Sequence, residues 1–357
     1  MKNLSFAGSF KFGSNILEEF ESIASCYGSR FVFIGGKRST ASVKDKIEKS
    51  FVSGKSTYEF IQCGKVASIE EVERVSNLEA VKNADVVCAI GGGSAMDVAR
   101  TAGNRLKKAL VMIPTTIASD APCSAVSVFY SEDGTSVTGD QVFHKCPDLV
   151  LVDSSVIANA PMRHIAAGMG DGLATYYEGL TNYRNPKRND ITETGMMLGE
   201  LARKLILKYG YDAYKSVEAH IVTPALEKII EANCFLSGTG GANTGCAAAH
   251  GIGDFLTGVQ DCHSFMHGER VFVGLMVQLI LEDYPKEEIL KFMQFGRSVG
   301  LPLCLKDLGV KEIEKTAYEM AKALQSDHFM VNLNCDYSVD ILAGAFLLAQ
   351  GYAQETQ

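Results

Sequence analysis

The sequence predicts a protein of two parts, an α/β domain built on a parallel sheet and an all-α domain after it. Strand-like and helix-like segments alternate from Arg30 to Asp153, a pattern typical of parallel sheets covered on both faces by helices. From Pro161 onward, strand signals nearly vanish and helical spacing dominates. At 357 residues the chain also exceeds the size at which a single hydrophobic core usually stops growing. We therefore place the two domains at residues 1–158 and 159–357.

Short apolar segments rich in β-branched and aromatic residues are the predicted strands of the first domain. They are Arg30–Gly36, Thr57–Cys63, Ala84–Ile90, Leu110–Ile113 and Asp148–Asp153. Helices are predicted between them at Ser39–Phe51, Ile69–Lys82 and Ala95–Arg105, and a hairpin from Ala125 toward Phe143. In the second domain, helical spacing covers Pro161–Tyr177, Asn189–Tyr209, Thr223–Gly238, Val271–Leu281, Glu287–Gly300 and Ser338–Tyr352.

Composition excludes several classes of function. A net charge of -8 and a pI of about 5.5 argue against a nucleic-acid surface, which needs a basic patch. No apolar run approaches the roughly 20 residues of a membrane span, and the first residues lack the apolar stretch of a signal peptide. The ten cysteines include no pair separated by only two residues, so we interpret them as buried, reduced thiols. These features predict a cytoplasmic protein that binds neither membrane nor nucleic acid.

A run of three glycines follows the third predicted strand and leads into a helix. In Gly91-Gly92-Gly93-Ser94 the backbone can approach a ligand closely, and the helix N-terminus after it favours a phosphate. Asp97 lies in the first turn, where it caps the helix or contacts the ligand. The run matches neither the G-x-G-x-x-G fingerprint nor a P-loop, so an ordinary strand-to-helix turn stays open.

A second candidate segment surrounds Asp120. From Ile113 to Gly134 the chain is dense in threonine, serine and alanine, which can line the path of a polar ligand. By composition alone the same stretch equally suits a surface loop.

Three residues of the second half have unusual surroundings. Asp171 is the one carboxylate in a run of Ala, Gly, Met and Ile, where burial requires a partner or a metal. His250 and His267 each border glycine and small apolar residues. A single buried histidine is more often a satisfied core residue, and the spacing along the chain does not show that the three share a site.

Several blocks together resemble the iron-containing alcohol dehydrogenase superfamily and, within it, the glycerol dehydrogenase branch. They are Gly91–Asp97, Pro114–Val128, Ala167–Asp171, the AAAHGIGDFLT segment around His250, and His267–Val271. The resemblance extends from about residue 30 to about residue 335. It implies a Rossmann-like nucleotide-binding domain, a helical domain and an active site between them, the architecture also found in dehydroquinate synthase.

The resemblance also implies roles for individual residues. Gly93 to Asp97, with Thr115 and Thr116, would hold the phosphates and ribose of the cofactor. The nicotinamide pocket would be lined by Ser124, Val126 and Tyr130, and Asp120 would contact a polyol substrate. The metal would be held by Asp171, His250 and His267. Two imidazoles and a carboxylate suit a divalent cation and leave a position open for a substrate oxygen.

Three departures from the family pattern matter. Thr175 stands where iron-dependent members carry a further histidine, which favours zinc over iron. Gly253 stands where glycerol dehydrogenases usually have a histidine, which leaves the substrate open. Lys37 and Arg38 follow the first predicted strand, where NAD-preferring members often place an acid. Two cations there can accommodate the 2′-phosphate of NADP, or they are only a solvated pair of charges in a loop. The cofactor is therefore NAD or NADP.

These observations predict a metal-dependent NAD(P)-linked dehydrogenase that oxidises a small polyol such as glycerol to the ketone. The first alternative is an NADPH-linked 2-oxo acid or hydroxycarboxylate reductase on the same scaffold. Less favoured are a lyase resembling dehydroquinate synthase and a nucleotide sensor without catalysis. The resemblance further implies a homo-oligomer, with an octamer as one form.

Overall fold

The computed structural model describes residues 2–52 and 54–356. Its strands are β1 (Phe10–Gly13), β2 (Arg30–Gly35), β3 (Thr57–Gln62), β4 (Val86–Gly91), β5 (Ala109–Pro114), β6 (Val126–Tyr130), β7 (Val137–Val142) and β8 (Leu149–Asp153). Six of them form a parallel sheet in the order β1–β8–β5–β4–β2–β3, and β6 pairs with β7 in an antiparallel hairpin.

Helices cover the sheet and form most of the second half of the chain. Those of the first half are α1 (Phe20–Ala24), α2 (Lys37–Ser50), α3 (Ile69–Ser76), α4 (Glu79–Asn83), α5 (Gly93–Arg105) and α6 (Ser154–Ile157). Those that follow are α7 (Met162–Arg184), α8 (Glu193–Glu218), α9 (Pro224–Ile230), α10 (Ser237–Thr244), α11 (Ala248–Thr257), α12 (His267–Leu281), α13 (Lys286–Ser298), α14 (Ile313–Ala323) and α15 (Val339–Glu355). A π-helical segment, Glu231–Leu236, joins α9 to α10.

The two faces of the sheet bury different residues because successive side chains of a strand point to opposite sides. Val32 and Val87 belong to a large core that continues into the helical half of the chain. Phe31 and Phe33 belong to a smaller core against α1 and α2. The sheet is thus covered on both faces, which explains why its strands are nearly continuous apolar runs.

The carboxyl ends of the central strands meet at one edge of the sheet. Gly35 at the end of β2 lies opposite Ile90, and Gly91 at the end of β4 lies opposite Pro114 at the end of β5. The turn into α5 therefore lies beside the segment that follows β5. Ligands of parallel sheets bind at this edge.

The predicted fold class is confirmed: a parallel α/β half precedes a helical half. All described strands end by Asp153, and the division at residues 158 and 159 stays a prediction. Each predicted strand and the hairpin are present, with ends shifted by up to two residues. The ten cysteines all lie in the described part of the chain and are free. Among the described helices, none combines the length and apolar character that a membrane crossing requires.

Two expectations about the helices of the first half were wrong in detail, and in the second half α7 and α8 extend beyond their predicted ends, to Arg184 and Glu218. The predicted helix Ile69–Lys82 is two helices, α3 and α4, because the Asn77 side chain caps the Glu73 carbonyl and Leu78 adopts an extended conformation. Helix α2 begins at Lys37 rather than Ser39, so the basic pair lies in a first helical turn and not in a loop.

Candidate metal centre and active site

Three helices of the second half approach each other unusually closely around Asp171. A methyl group on Gly268 of α12 would lie 2.0 Å from the Ala167 carbonyl oxygen of α7. A methyl group on Gly253 of α11 would lie 2.8 Å from a methyl carbon of Val271. A side chain at either glycine would force the neighbouring atoms to shift, so glycine allows these close crossings, which bring residues from the three helices to one point.

The three predicted metal ligands lie together at that point. The Nε2 atoms of His250 and His267 are each 3.5 Å from Oδ1 of Asp171. One donor atom from each residue lies within 4.8 Å of the other two. Asp171 is 1% exposed, and its Oδ1 has no hydrogen-bond partner among the described residues.

These distances fit a shared ion better than direct hydrogen bonds. Two ligand atoms bound tetrahedrally at about 2.1 Å from one ion are about 3.4 Å apart. A charged hydrogen bond between imidazole and carboxylate would instead be about 2.7–2.9 Å long. An orphaned, buried carboxylate oxygen between two imidazole nitrogens is therefore a suitable set of donors for a divalent cation.

Glu178, about two helical turns after Asp171 on α7, orients His250. Its Oε2 lies 2.5 Å from Nδ1 of His250, and its Oε1 accepts backbone N–H groups of Ala247 and His250 at 2.8 Å each. A carboxylate partner at Nδ1 keeps the proton there and leaves the Nε2 lone pair free for a metal. Sequence reasoning missed Glu178; its position seven residues after Asp171, on the same face of a buried helix, was the available signal.

His267 has a similar but looser partner. Its Nδ1 is 3.7 Å from Oδ1 of Asp254, which is too long for a hydrogen bond. Burial lowers the pKa of His267 and so favours the neutral imidazole that binds metals. The bidentate pair of Arg163 with Glu269 fixes the start of α12, because Glu269 also caps that helix through the Met266 N–H.

Asp120 comes from the first half of the chain and reaches the same centre. Its backbone N–H donates to Oδ2 of Asp171 at 3.2 Å, so one carboxylate faces both the imidazoles and the segment after β5. Burial and the charge of Asp171 raise the pKa of Asp120 to about 7. The structure therefore brings the predicted substrate-contacting residue to the predicted metal ligands.

Two of the three departures from the family pattern lie beside this centre. Thr175 is buried, and its hydroxyl is hydrogen-bonded to Ser237 at 2.8 Å and to the Asp171 carbonyl at 3.4 Å. The contact of residue 253 with Val271 leaves no room for a histidine at Gly253.

The predicted cofactor residues gather at the carboxyl edge of the sheet. Gly92 lies between β4 and α5, and a methyl group there would be 3.2 Å from a carbon of Thr116. The Thr115 N–H donates to the Gly91 carbonyl at 3.1 Å. Gly93 and Ser94 are partly exposed in the first turn of α5, where free N–H groups favour a phosphate.

The remaining predicted cofactor residues have distinct surroundings. Ser124, Val126 and Tyr130 lie on or just before β6 and are half-buried. The Asp97 carboxylate is buried and paired with Arg100, so it does not cap α5. Lys37 is exposed at the start of α2, the helix that follows β2, and β2 is the sheet neighbour of β4, which ends at the glycine turn.

Comparison with known proteins agrees with this geometry. The iron-containing alcohol dehydrogenase profile matches residues 7–154. Glycerol dehydrogenase of Escherichia coli is 32% identical over 356 residues, covering 97% of this chain and 96% of the relative. Glycerol dehydrogenase of Thermotoga maritima is 42% identical over 251 residues, 69% of this chain and 68% of the relative. The crystal structure of glycerol dehydrogenase from Schizosaccharomyces pombe superposes with a TM-score of 0.94 at 26% identity, covering 100% of this chain and 92% of that one.

The fold and the centre define an oxidoreductase that acts on alcohol groups. The chain belongs to the iron-containing alcohol dehydrogenase family, as its sequence resemblance predicted. The individual site roles inferred from that resemblance stay predictions.

Proposed function

We propose that this chain oxidises a small polyol such as glycerol to the ketone, with NAD or NADP as cofactor and zinc held by Asp171, His250 and His267. The observation that carries the proposal is the position of Asp120. Its N–H bonds to Asp171, the carboxylate that lies 3.5 Å from both imidazoles. A polyol whose reacting hydroxyl is bound to the metal would thus have its second hydroxyl within reach of Asp120.

Individual residues of the chain have distinct roles in this reaction. A bound divalent cation lowers the pKa of a hydroxyl, and a nicotinamide accepts a hydride. Glu178 holds His250 in the tautomer whose Nε2 faces the centre. Asp120 accepts a hydrogen bond from the second substrate hydroxyl and so orients the carbon that is oxidised. Val126 and Tyr130 close the site on the nicotinamide side.

The charges around the centre support a neutral polyol over an anionic 2-oxo acid. Asp120 and Asp254 flank the three ligands, and Asp254 also lines a cavity of about 460 Å³. Glu319 lines the same cavity. Carboxyl groups beside the ligands accept hydrogen bonds from hydroxyl groups and, when ionised, repel an anionic substrate.

The test is a substrate profile of chelator-treated protein reloaded with Zn²⁺ or Fe²⁺. We expect zinc-dependent oxidation of glycerol or 1,2-diols and little reduction of pyruvate. Activity on 2-oxo acids alone would favour the reductase alternative, and full turnover without metal would refute the proposal. His267→Ala should abolish zinc binding and turnover, whereas His263→Ala, an exposed histidine four residues earlier, should retain both.

The choice between NAD and NADP rests on Lys37 and Arg38. Both are exposed in the first turn of α2, one strand from the glycine turn, where a cation can contact a 2′-phosphate. Alanine at both positions should weaken NADP more than NAD, and Lys49→Ala at the other end of α2 should change neither. Equal loss for both cofactors would remove the 2′-phosphate role.

We further propose a cytoplasmic homo-oligomer, with an octamer as one form. Free cysteines, seven of them buried, suit a reducing compartment. Met197, Leu201 and Tyr211 on one face of α8 are 68%, 43% and 48% exposed, which suits a subunit contact. Light scattering of the purified protein measures the mass, and a monomer would refute the assembly.

A further inference from the structure

Arg100 is a fully buried arginine in the helix that follows the glycine turn. It lies on α5 and is 0% exposed, although a charged side chain is rarely buried without partners. Its first partner is Asp97, one turn earlier, whose Oδ1 accepts from Nη1 at 2.5 Å. The Asp97 carboxylate neutralises the charge of Arg100 but contacts only one nitrogen of the guanidinium.

The two terminal nitrogens of the guanidinium also reach two carbonyl groups on another part of the chain. Nη1 donates to the Val126 carbonyl at 2.6 Å, and Nη2 donates to the Ala121 carbonyl. Nη1 also lies 3.3 Å from the hydroxyl of Ser127, which itself donates to the Asp97 carbonyl at 3.2 Å. One side chain therefore joins α5 to both ends of the segment 121–126.

That segment needs such a tie because it is not part of the main sheet. Strand β6 pairs only with β7 among the described strands, in a separate hairpin. Ala121 directly follows Asp120, and Val126 begins β6. The position of Asp120 relative to α5 thus depends on these side-chain contacts as well as on the N–H of Asp120 bonded to Asp171.

We propose that Arg100 is a positioning residue that holds the 120–128 segment in a fixed position relative to α5, the helix that follows the glycine turn. Through the Ala121 and Val126 carbonyls it sets where Asp120 meets the substrate relative to the nicotinamide, a role that rests on the proposed polyol dehydrogenase function. It does not touch the substrate or the reacting atoms. An error of about 1 Å in such alignment costs on the order of a hundredfold in rate.

A lysine cannot replace this arrangement. The planar guanidinium directs several N–H groups in fixed directions, whereas an ammonium is a single point donor on a flexible stem. Arg100→Lys therefore keeps a cation for Asp97 but cannot reach both carbonyl groups at once. Arg105→Lys, at the exposed end of the same helix, is the matched control.

The test combines kinetics with amide hydrogen exchange on the metal-loaded protein. For Arg100→Lys we expect kcat/KM for the polyol to fall about tenfold or more, while the Kd of NADH and the zinc content stay within about threefold of wild type. Exchange of amides 120–128 should rise, and that of amides 93–98 should not. Ser127→Ala, a milder change in the same network, should shift exchange in the same direction, and the control variant should match wild type.

Three results would overturn the inference. The first is unchanged exchange in 120–128 in Arg100→Lys, and the second is unchanged kcat/KM in that variant. The third is an equal loss of NADH affinity and polyol turnover, which indicates a general structural role. If wild type oxidises no polyol, the proposed function fails, and the exchange measurement alone still decides whether Arg100 holds the segment.

Discussion

Replacing Glu178 by glutamine tests how the centre is built. The carboxamide oxygen can still accept the two backbone N–H groups at the start of α11, so the fold is retained. Its NH₂ group, however, faces the Nδ1–H of His250 at a position 2.5 Å from that nitrogen, where two donors repel. The imidazole must move its proton to Nε2 or rotate, and either change takes the Nε2 lone pair away from the metal position.

The expected loss follows from this single inverted contact. Outer partners of ligating histidines typically change metal affinity about 10- to 100-fold, which corresponds to about 1.4–2.7 kcal/mol. Zinc affinity is measured by competition with a chromophoric chelator at pH 7.5, with circular dichroism to confirm folding. Glu288→Gln is the control, because it makes the same change beside Tyr177, whose O–H it accepts at 3.2 Å. Zinc affinity within twofold of wild type in Glu178→Gln would refute this reasoning.

Further predictions concern stability. Gly253→Ala should destabilise the protein by about 1–3 kcal/mol through overpacking against Val271. Gly344→Ala on α15, where a methyl group meets nothing within 4 Å, should instead stabilise it by about 0.5–1 kcal/mol. Equal free energies of urea unfolding for the two variants would contradict this. The hydrogen bonds from Arg30 hold the pKa of Asp85 well below its usual range. The stability from this pair is therefore present above the unfolded pKa of about 3.9 and is lost as pH falls. Asp85→Asn should lower the urea midpoint at pH 7, and its difference from wild type should begin to narrow as the pH falls below about 3.9. A difference that widens in acid would contradict this sign.

Much of the fold could be predicted because buried parallel strands have a strong local signal. Strand β4 is buried at every position, and its apolar run ends at the glycine turn. Strand β1 lacks such a signal: it has four residues and pairs with β8, about 140 positions along the chain, so only the folded sheet shows it. The break between α3 and α4 was missed because amphipathic spacing continues across it, while a local cap at Asn77 ends the first helix.

The site was predictable residue by residue but not as a unit. Asp171, His250 and His267 each had unusual neighbours in the sequence, yet only the family resemblance linked positions that far apart. Glu178 and Arg100 were missed because a charged residue within a helical pattern is usually interpreted as exposed. Both are buried, and their partners come from helices or strands distant in the chain.

The most direct test of the central claim is anomalous diffraction from crystals grown with Zn²⁺ and measured at the zinc edge. We expect one ion about 2.0–2.2 Å from a carboxylate oxygen of Asp171 and from Nε2 of both His250 and His267. Glu178 should remain hydrogen-bonded to Nδ1 of His250. An ion bound instead between Glu178, Cys246 and His250, whose donor atoms also lie within 4.8 Å of one another, would contradict the account. So would crystals in which zinc binds only outside this cluster.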